Sequence, residues 1–377
     1  MKKLFSILLA VLMVFSLVGC SSSKTEETET TTTEETTESK GKIAVVTDVG
    51  QLNDGGFNQG TYEGAVAFGE ANGYEVQYFQ PANGSDATDD DRIAAMRQAV
   101  EWGAEVVVLP GYLQYTALDT VAGEATDVKW VFVDGWAIGK ENVTAISYHE
   151  EESGYLAGYA AVKDGYTSLG GTFGGAGTNA ACNRFAYGYV QGIEAAAAEL
   201  NETVDVTISF LYGGSFAAST ELQTQISGWY NNGTQVVFSC GGSMLQSVKA
   251  AAAETADGKI IGVDVDQASE SDRVITSATK GLAASVEKIL GIWAEGNWDS
   301  IKDTCSNLGA ADNATGLPTA TDSWRFTTFT LDDYNALFTK VAAGEVTIST
   351  DCADMSTAAA WDTLKAASTH INLNLEY

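Results

Sequence analysis

Short apolar runs that alternate with stretches of helical periodicity are the feature that most constrains this chain. Residues 42–48 (KIAVVTD) form an apolar run that ends in a polar loop, and residues 59–71 place Tyr62, Ala65 and Gly69 at helical spacing. The same order of strand and helix repeats through most of the chain. Because repeated strand–helix–strand units build parallel sheets with right-handed crossovers, the sequence predicts an α/β fold of doubly wound parallel sheets.

The alternation falls into two series, which predict two lobes. The first series covers residues 42–149, and the second opens with a helix at 150–165 and continues to about residue 296. Ligands of open parallel sheets bind at the carboxyl ends of the strands, so the loops there are expected to line a cleft between the lobes. Beyond residue 300 no regular pattern is readable, but Trp324, Phe326 and Trp361 indicate that this section packs.

The N-terminus has the pattern of a secretory signal. Lys2 and Lys3 precede an apolar run at residues 4–18, and Leu-Val-Gly-Cys at 17–20 closes it. This ending resembles the lipobox of bacterial lipoproteins, in which the cysteine, here Cys20, carries lipid. The run is shorter than the roughly 20 residues that span a bilayer. The prediction is a signal peptide at 1–20 and a lipid anchor on the extracytoplasmic face of the cell membrane; an ordinary secretory signal and a transmembrane anchor are the alternatives.

Residues 21–40 and the net charge of the chain are both strongly polar features. Residues 21–40 contain no apolar side chain and are predicted to form a disordered acidic tether. The net charge of −30 argues against binding to nucleic acid or to an anionic membrane surface.

The sequence does not decide whether the cysteines form disulfides. Four cysteines remain beyond Cys20, an even number in an exported chain: Cys182, Cys240, Cys305 and Cys352. They can form disulfides in three connectivities or remain free thiols. No CxxC motif is present to support a zinc or thiol-redox site.

Residues that follow the predicted strands are the candidates for ligand contact. Phe57 lies in a long polar loop. Its ring either packs as a hydrophobic staple at the start of the next helix or offers a stacking face to a flat ligand. Asp48 and Asn58 in the same loop either cap local turns or face the ligand. Asp264 lies at the end of another predicted strand, and its carboxylate is expected either to cap the following turn or to accept hydrogen bonds from sugar hydroxyls. Lys280 ends a further predicted strand, and its ammonium group is expected either to donate to a ligand oxygen or to pair with an aspartate.

Gly-rich loops supply the remaining candidates. Phe216 lies in one such loop, and Gly242 lies in another, where glycine lets a ligand approach the backbone closely. Aromatic, carboxylate, amide and ammonium groups together suit a neutral, flat, hydroxyl-rich molecule. The phosphate-binding GxxxxGK[ST] motif is absent, and so is a dinucleotide fingerprint. With only His149 and His370 and no nucleophile motif, the sequence predicts a protein that is not an enzyme and that uses no metal or cofactor.

Two motifs carry a resemblance to a known family. Residues 46–64 (VTDVGQLNDGGFNQGTYEG) and residues 262–267 (GVDVDQ) resemble the signatures of the basic membrane protein family of substrate-binding lipoproteins, which includes purine nucleoside receptors of ABC importers. The similarity extends over about residues 42–296. It implies a type I periplasmic-binding-protein fold with a three-stranded hinge. The implied N-terminal lobe is 41–147 with 279–300, and the implied C-terminal lobe is 148–278 with 301–377.

The resemblance also implies roles for single residues. Phe57 and Phe216 would stack on either side of a purine, and Asn58 would bond the edge of the base. The ribose would be held by a further set: Asp48, Gly242, Asp264 and Lys280. Thr116 stands where the family has a purine-reading aspartate, so Thr116 is expected to contact the ligand and to change which base is bound.

The expected function is capture of a nucleoside-like ligand for an ABC permease by a lipid-anchored monomer. Because a threonine stands at position 116, the same fold binding a sugar, a flavin or a signalling molecule is the alternative. An exported hydrolase is a further alternative from another class. A ligand-sensing domain of a transcription regulator is excluded by the export signal and by the lack of a DNA-binding segment.

Overall fold

A computed structural model describes residues 39–49 and 51–377. The predicted signal peptide, Cys20 and nearly all of the predicted tether lie outside the described residues. The strands are β1 (Lys42–Val46), β2 (Glu75–Phe79), β3 (Val106–Pro110), β4 (Lys129–Val133), β5 (Val143–Tyr148), β6 (Ser168–Phe173), β7 (Val204–Ser209), β8 (Val236–Cys240), β9 (Lys259–Asp264), β10 (Val274–Lys280), β11 (Cys305–Leu308), β12 (Thr315–Gly316) and β13 (Ile371–Glu376). The helices are α1 (Phe57–Asn72), α2 (Asp89–Trp102), α3 (Tyr115–Glu124), α4 (Glu150–Lys163), α5 (Ala180–Leu200), α6 (Thr220–Asn231), α7 (Met244–Ala253), α8 (Leu282–Ala294), α9 (Leu331–Ala342) and α10 (Asp362–Ala367).

Two sheets organise the described part of the chain, one in each lobe. The first has the order β11-β5-β4-β3-β1-β2, and the second has the order β12-β10-β9-β8-β6-β7-β13. The pairings are parallel, apart from the antiparallel pair of β10 with β12. The predicted α/β fold of two doubly wound lobes is therefore confirmed. The strand order reverses between β1 and β3 and again between β6 and β8, which are the switch points where such sheets bind ligands.

Apolar strands and capped helices explain why these elements form. The central strands β3 and β8 are buried along their whole length, and β1 is buried after Lys42, as the near-continuous apolar runs predict. α2 shows how the sequence sets helix ends. Thr88 and Asp91 form a reciprocal capping box at its start, and Gly103 ends it at φ +94°, a left-handed conformation that suits glycine.

Three chain crossings join the lobes: β5 to α4, β10 to α8, and β11 to β12. After the second crossing, α8 returns to the first lobe and packs on α1. β11 pairs with β5 in the first sheet, and Ile301 packs in the core of the same lobe, so the expected assignment of all of 301–377 to the C-terminal lobe is wrong for residues 301–308. The expected boundaries are also wrong for Tyr148, which ends β5 in the first sheet, and for Thr279 and Lys280, which end β10 in the second. The short sequence CSNL forms a partly exposed edge strand, and it lacks the apolar run by which β1 to β10 were recognised.

The section from β12 onwards packs against the second lobe, as the aromatic residues of this section indicated. Trp361 is fully buried, and Phe326 and Phe329 join the same core. β13 extends the second sheet by pairing with β7. Trp298, by contrast, packs in the core of the first lobe.

Candidate functional site

A cavity of about 540 Å³ lies between the lobes at the carboxyl ends of the strands. Loops from both sheets line it, as the switch points predict. Seven of the eight predicted ligand-binding residues are among its lining residues: Asp48, Phe57, Asn58, Phe216, Gly242, Asp264 and Lys280. The structure thus brings together side chains that are more than 200 residues apart in the chain.

The loop before α1 is organised by the carboxylate of Asp54. Its Oδ1 accepts hydrogen bonds from the backbone N–H groups of Gly56 (2.8 Å) and Gln59 (3.2 Å). Its Oδ2 accepts from the backbone N–H of Asn58 (3.0 Å) and from Asn58 Nδ2 (3.2 Å). Asp54 thereby satisfies N–H groups that the first turn of a helix leaves free. Burial raises its pKa. This capping fixes Phe57 and Asn58 at the edge of the cavity.

Asn58 presents an unsatisfied acceptor. Its Nδ2 donates to Asp48 Oδ1 (3.4 Å), to the Val49 carbonyl (3.2 Å) and to Asp54. Its Oδ1 is buried and has no hydrogen-bond partner among residues 39–49 and 51–377. A buried acceptor without a partner is costly, so a ligand that supplies an N–H or O–H group is favoured here.

Asp48 is a buried carboxylate at the end of β1. Its Oδ1 accepts a hydrogen bond from the Val49 backbone N–H at 2.6 Å. Burial raises the pKa of Asp48 to about 7, so the group titrates near neutral pH. Gly111 permits this placement, because a Cβ there would lie 2.0 Å from Asp48 Oδ2 and the φ of Gly111 is +100°.

Lys280 is the charge centre of the cavity floor. Its Nζ lies 2.7 Å from Asp134 Oδ2, 3.3 Å from Asp264 Oδ1 and 3.6 Å from Glu150 Oε1. Burial acts to lower the pKa of Lys280, but these carboxylates outweigh it and raise the pKa well above its ordinary value. The same Nζ lies 4.6 Å from the centre of the Phe57 ring.

The floor is acidic overall. Arg184 Nε bonds Glu150 Oε2 at 2.5 Å, so Glu150 is shared between two cations. Asp134 Oδ1 is buried without a hydrogen-bond partner. Burial raises the pKa of Asp134 and of Asp264. The surplus of carboxylates over cations disfavours a ligand with a phosphate group and favours hydroxyl donors.

The Phe216 ring packs against glycine backbone in the second lobe. A Cβ on Gly174 would lie 2.4 Å from this ring, and one on Gly241 would lie 3.0 Å away. Gly242 packs against the Phe216 backbone carbonyl in the same way. Phe216 itself has φ +57°, an uncommon conformation for a bulky residue and one that is found at functional sites.

Thr116 lies elsewhere. It is an exposed residue in the first turn of α3 and is not among the lining residues of the cavity. Thr116 is thus the one predicted ligand-binding residue that the structure does not place in the cavity lining, and its contact with the ligand stays a prediction. Gly111 and Tyr112 line the cavity at this place.

Asp134 and Tyr112 are cavity residues that sequence reasoning missed. Asp134 directly follows the apolar strand KWVFV, so the strand-end criterion that selected Asp264 also applies to it. Tyr112 follows β3 after one glycine, so its position at a strand end could have identified it in the same way.

Other chemistry is limited in the described part of the chain. All four cysteines there, Cys182, Cys240, Cys305 and Cys352, are free thiols, which settles the question left open by the sequence. Within residues 39–49 and 51–377, no group of three or more His, Cys, Asp or Glu side chains is placed to hold a metal ion. None of the helices in these ranges combines the length and the apolar character needed to cross a bilayer.

Comparisons with known proteins show the family of this chain. The model of a family described as "ABC transporter substrate-binding protein PnrA-like" (Bmp) matches residues 41–326. The ABC transporter nucleoside-binding protein BmpA of Lactococcus lactis is 28% identical over 334 residues, which cover 83% of this chain and 90% of that protein. An uncharacterized lipoprotein of Pyrococcus abyssi is 26% identical over 320 residues, covering 82% of this chain and 75% of that protein.

A solved structure supports the fold. An ABC transporter solute-binding protein from Aeropyrum pernix K1 superposes with a TM-score of 0.70 at 19% identity, covering 86% of this chain and 96% of that chain. The family match extends over well over half of the chain, and the family resemblance of the two sequence motifs is confirmed. The chain belongs to the Bmp family and is an extracytoplasmic substrate-binding protein of an ABC transporter.

Proposed function

We propose that this chain binds a nucleoside-like solute, with a purine nucleoside as the first candidate, and delivers it to the permease of an ABC importer. The observation that carries the proposal is the presence of Phe57 and Phe216, one from each lobe, in the lining of a single cavity. Aromatic faces on both lobes suit a flat base that both lobes cover as they close by hinge bending.

Polar groups in the same cavity suit the sugar. Among the described residues, Asp134 Oδ1 and Asn58 Oδ1 have no hydrogen-bond partner, and Asp264 forms an ion pair with Lys280. A ribose offers hydroxyl donors to such groups, and a hydroxyl left unpaired in this buried site costs about 1–3 kcal/mol. The relative from Lactococcus lactis, named as a nucleoside-binding protein, supports the same ligand class.

The ligand experiment has two parts. Native mass spectrometry of the purified protein identifies any solute that is retained. Calorimetry then compares inosine with ribose, hypoxanthine and inosine monophosphate. We expect inosine to bind more tightly than its fragments, and we expect the phosphate to abolish binding. Tight binding of a sugar or a flavin without inosine binding would contradict the proposal and establish the alternative ligand class.

Two variants test the roles of the residues. Phe57→Ala removes a stacking face, and Asp264→Asn removes the carboxylate charge while keeping an oxygen acceptor. We expect each to weaken inosine binding at least tenfold with little loss of folding cooperativity. Tyr78→Ala, which truncates an exposed ring elsewhere on the first lobe, is the control and should leave affinity unchanged. Wild-type affinity in both site variants would contradict the assigned roles.

The proposal includes no catalytic step. Incubation of the protein with inosine should release no free hypoxanthine. Release of the base would instead support the exported-hydrolase alternative.

We further propose a lipid anchor at Cys20 and a tether at residues 21–40, which hold a monomer at the extracytoplasmic face of the membrane. The lipobox-like residues 17–20 and the lipoprotein named among the relatives support this. Cys20→Ser should move the protein from the membrane fraction to the medium or periplasm. Membrane retention of this variant would contradict lipid anchoring. Apart from residues 148, 279–280 and 301–308, the lobe boundaries expected from the resemblance remain part of this proposal.

A further inference from the structure

The loop that follows β9 contacts the loop that precedes α1, and so joins the second lobe to the first. Gln267 Nε2 donates a hydrogen bond to the Gly55 carbonyl at 2.8 Å. Two residues before Gln267, Val265 packs into the core of the first lobe, in the cluster that Phe57 also joins. We call these two contacts the interlobe contact. The proposed function gives Gln267 no role, and Gln267 is not among the lining residues of the cavity.

Gln267 is fixed by its own lobe. Its side chain is only 1% exposed. Oε1 accepts a hydrogen bond from the Val263 backbone N–H at 2.8 Å, and its backbone N–H donates to Ser277 Oγ at 3.0 Å. Because Val263 N–H requires an acceptor, the amide group must direct Nε2 away from it. The donor therefore points at Gly55 in the other lobe.

Glycines in the first lobe make room for this approach. A Cβ on Gly60 would lie 2.6 Å from Val265 Cγ1, which is closer than such atoms pack. A Cβ on Gly55 would lie 3.2 Å from Glu270 Oε1, and the φ of Gly55 is +67°. Glu270 is held in turn by Lys249 at 2.8 Å. The two surfaces are thus matched in shape as well as in hydrogen bonding.

The acceptor, Gly55, stands within the loop that carries the ligand contacts. Asp54, which caps α1, comes directly before it, and Phe57 and Asn58 follow within three residues. The hydrogen bond from Gln267, in the second lobe, to the Gly55 carbonyl therefore restrains this loop of the first lobe.

We propose that Gln267 is a positioning residue that holds the ligand-contact loop, residues 54–58, against the second lobe when the lobes are together. It acts through Gly55 and not on the ligand. Loss of this bond frees the loop and shifts the protein towards separated lobes, so that ligand dissociates faster while association changes little. The inference rests on the substrate-binding function of the family and is independent of which solute is bound.

The main test is Gln267→Glu. This variant keeps the size of the side chain and the oxygen that accepts from Val263, but it replaces the Nε2 donor with an oxygen that repels the Gly55 carbonyl. Gln235→Glu is the matched control, because Gln235 Oε1 accepts from the Thr167 and Ser168 backbone within the second lobe. Small-angle X-ray scattering without ligand measures lobe separation, and stopped-flow fluorescence with inosine measures the two rate constants.

For Gln267→Glu we expect a larger radius of gyration than wild type, a dissociation rate raised about tenfold and an association rate within twofold. Gln235→Glu should match wild type in all three. A radius of gyration and a dissociation rate at wild-type values for Gln267→Glu would overturn the proposal. If inosine does not bind the wild type, the proposed ligand fails, and the scattering comparison alone decides on Gln267.

A second variant covers the case in which the buried glutamate prevents folding. Gly60→Ala introduces a better helix former into α1 but sets a methyl group against Val265. Gly228→Ala in α6 makes the same helical substitution at a site where a Cβ meets nothing within 4 Å, and it is the control. We expect Gly60→Ala to enlarge the radius of gyration and Gly228→Ala to leave it unchanged. An unchanged value for Gly60→Ala would also overturn the proposal.

Discussion

Lys280 Nζ lies 2.7 Å from Asp134 Oδ2, and this ion pair joins the last residue of β10 in the second sheet to the loop after β4 in the first. Both side chains are largely buried, and two further carboxylates, Asp264 and Glu150, lie within 3.6 Å of the same ammonium group. The ligand cavity and the lobe boundary thus share one charged centre. Substitutions there should change binding and stability together.

The first prediction concerns Lys280. Lys280→Met leaves Asp134, Asp264 and Glu150 buried without their shared cation, so the free energy of unfolding should fall by about 3–5 kcal/mol. Chemical denaturation at neutral pH measures this change. Lys302→Met, which removes an exposed pair in the first lobe, should leave the unfolding midpoint unchanged. Equal midpoints for the two variants would show that the Lys280 cluster contributes no net stability.

The second prediction concerns pH and Asp48. Its pKa is raised by burial to about 7, whereas an unfolded aspartate titrates near 3.8. Between these values the folded state holds a proton that the unfolded state has lost, so stability falls as pH rises from about 4 to about 7. The contribution is on the order of 4 kcal/mol. Below the unfolded pKa it is fully present, and above pH 7 it is lost.

Asp48→Asn isolates this contribution, because the amide does not titrate. The unfolding free energies of wild type and variant, measured without ligand from pH 4 to pH 8, should diverge, with the wild type losing stability relative to the variant as pH rises. A difference that stays constant over this range would show that Asp48 does not titrate there.

The third prediction concerns the floor beneath Phe216. Gly174 has φ −72°, which any residue can adopt, but a Cβ there would overlap the Phe216 ring. Gly174→Ala should therefore displace the ring and weaken ligand binding at least tenfold, measured by calorimetry with the solute that the protein retains. Gly214→Ala, in the loop after β7 that carries Phe216, is the control, because the nearest atom to a Cβ there is 3.9 Å away, and it should bind like wild type. Normal affinity in Gly174→Ala would mean that Phe216 makes no important ligand contact.

The fourth prediction concerns Asp54 as the cap of α1. Asp54→Ala leaves the N–H groups of Gly56, Asn58 and Gln59 without their acceptor, so stability should fall by about 1–2 kcal/mol. Hydrogen exchange of these amides should accelerate. Asp54→Asn keeps one oxygen and should show a smaller effect in both measurements. Unchanged exchange in Asp54→Ala would show that the loop holds its conformation without the cap.

Most of the fold could be predicted from sequence because its signals are local. Apolar runs and helical spacing identified β1 to β10 and the helices between them, and the strand-end rule found seven of eight candidate residues in the cavity lining. β11 was missed because its four residues, CSNL, are partly exposed at a sheet edge and form neither an apolar run nor a helical pattern. Thr116 is the candidate outside the cavity lining, because a motif position does not state which way the first turn of α3 faces.

By itself, the sequence determined the two-lobed α/β architecture, the family and the loops that meet at the cleft, since periodicity and motifs are properties of neighbouring residues. Only the tertiary structure decided that Asp134 shares Lys280 with Asp264, that glycines carry the Phe216 ring, and that Gln267 binds Gly55 in the other lobe. These relationships join residues far apart in the chain, and they depend on distances and burial that arise only when the chain has folded and the elements lie in contact.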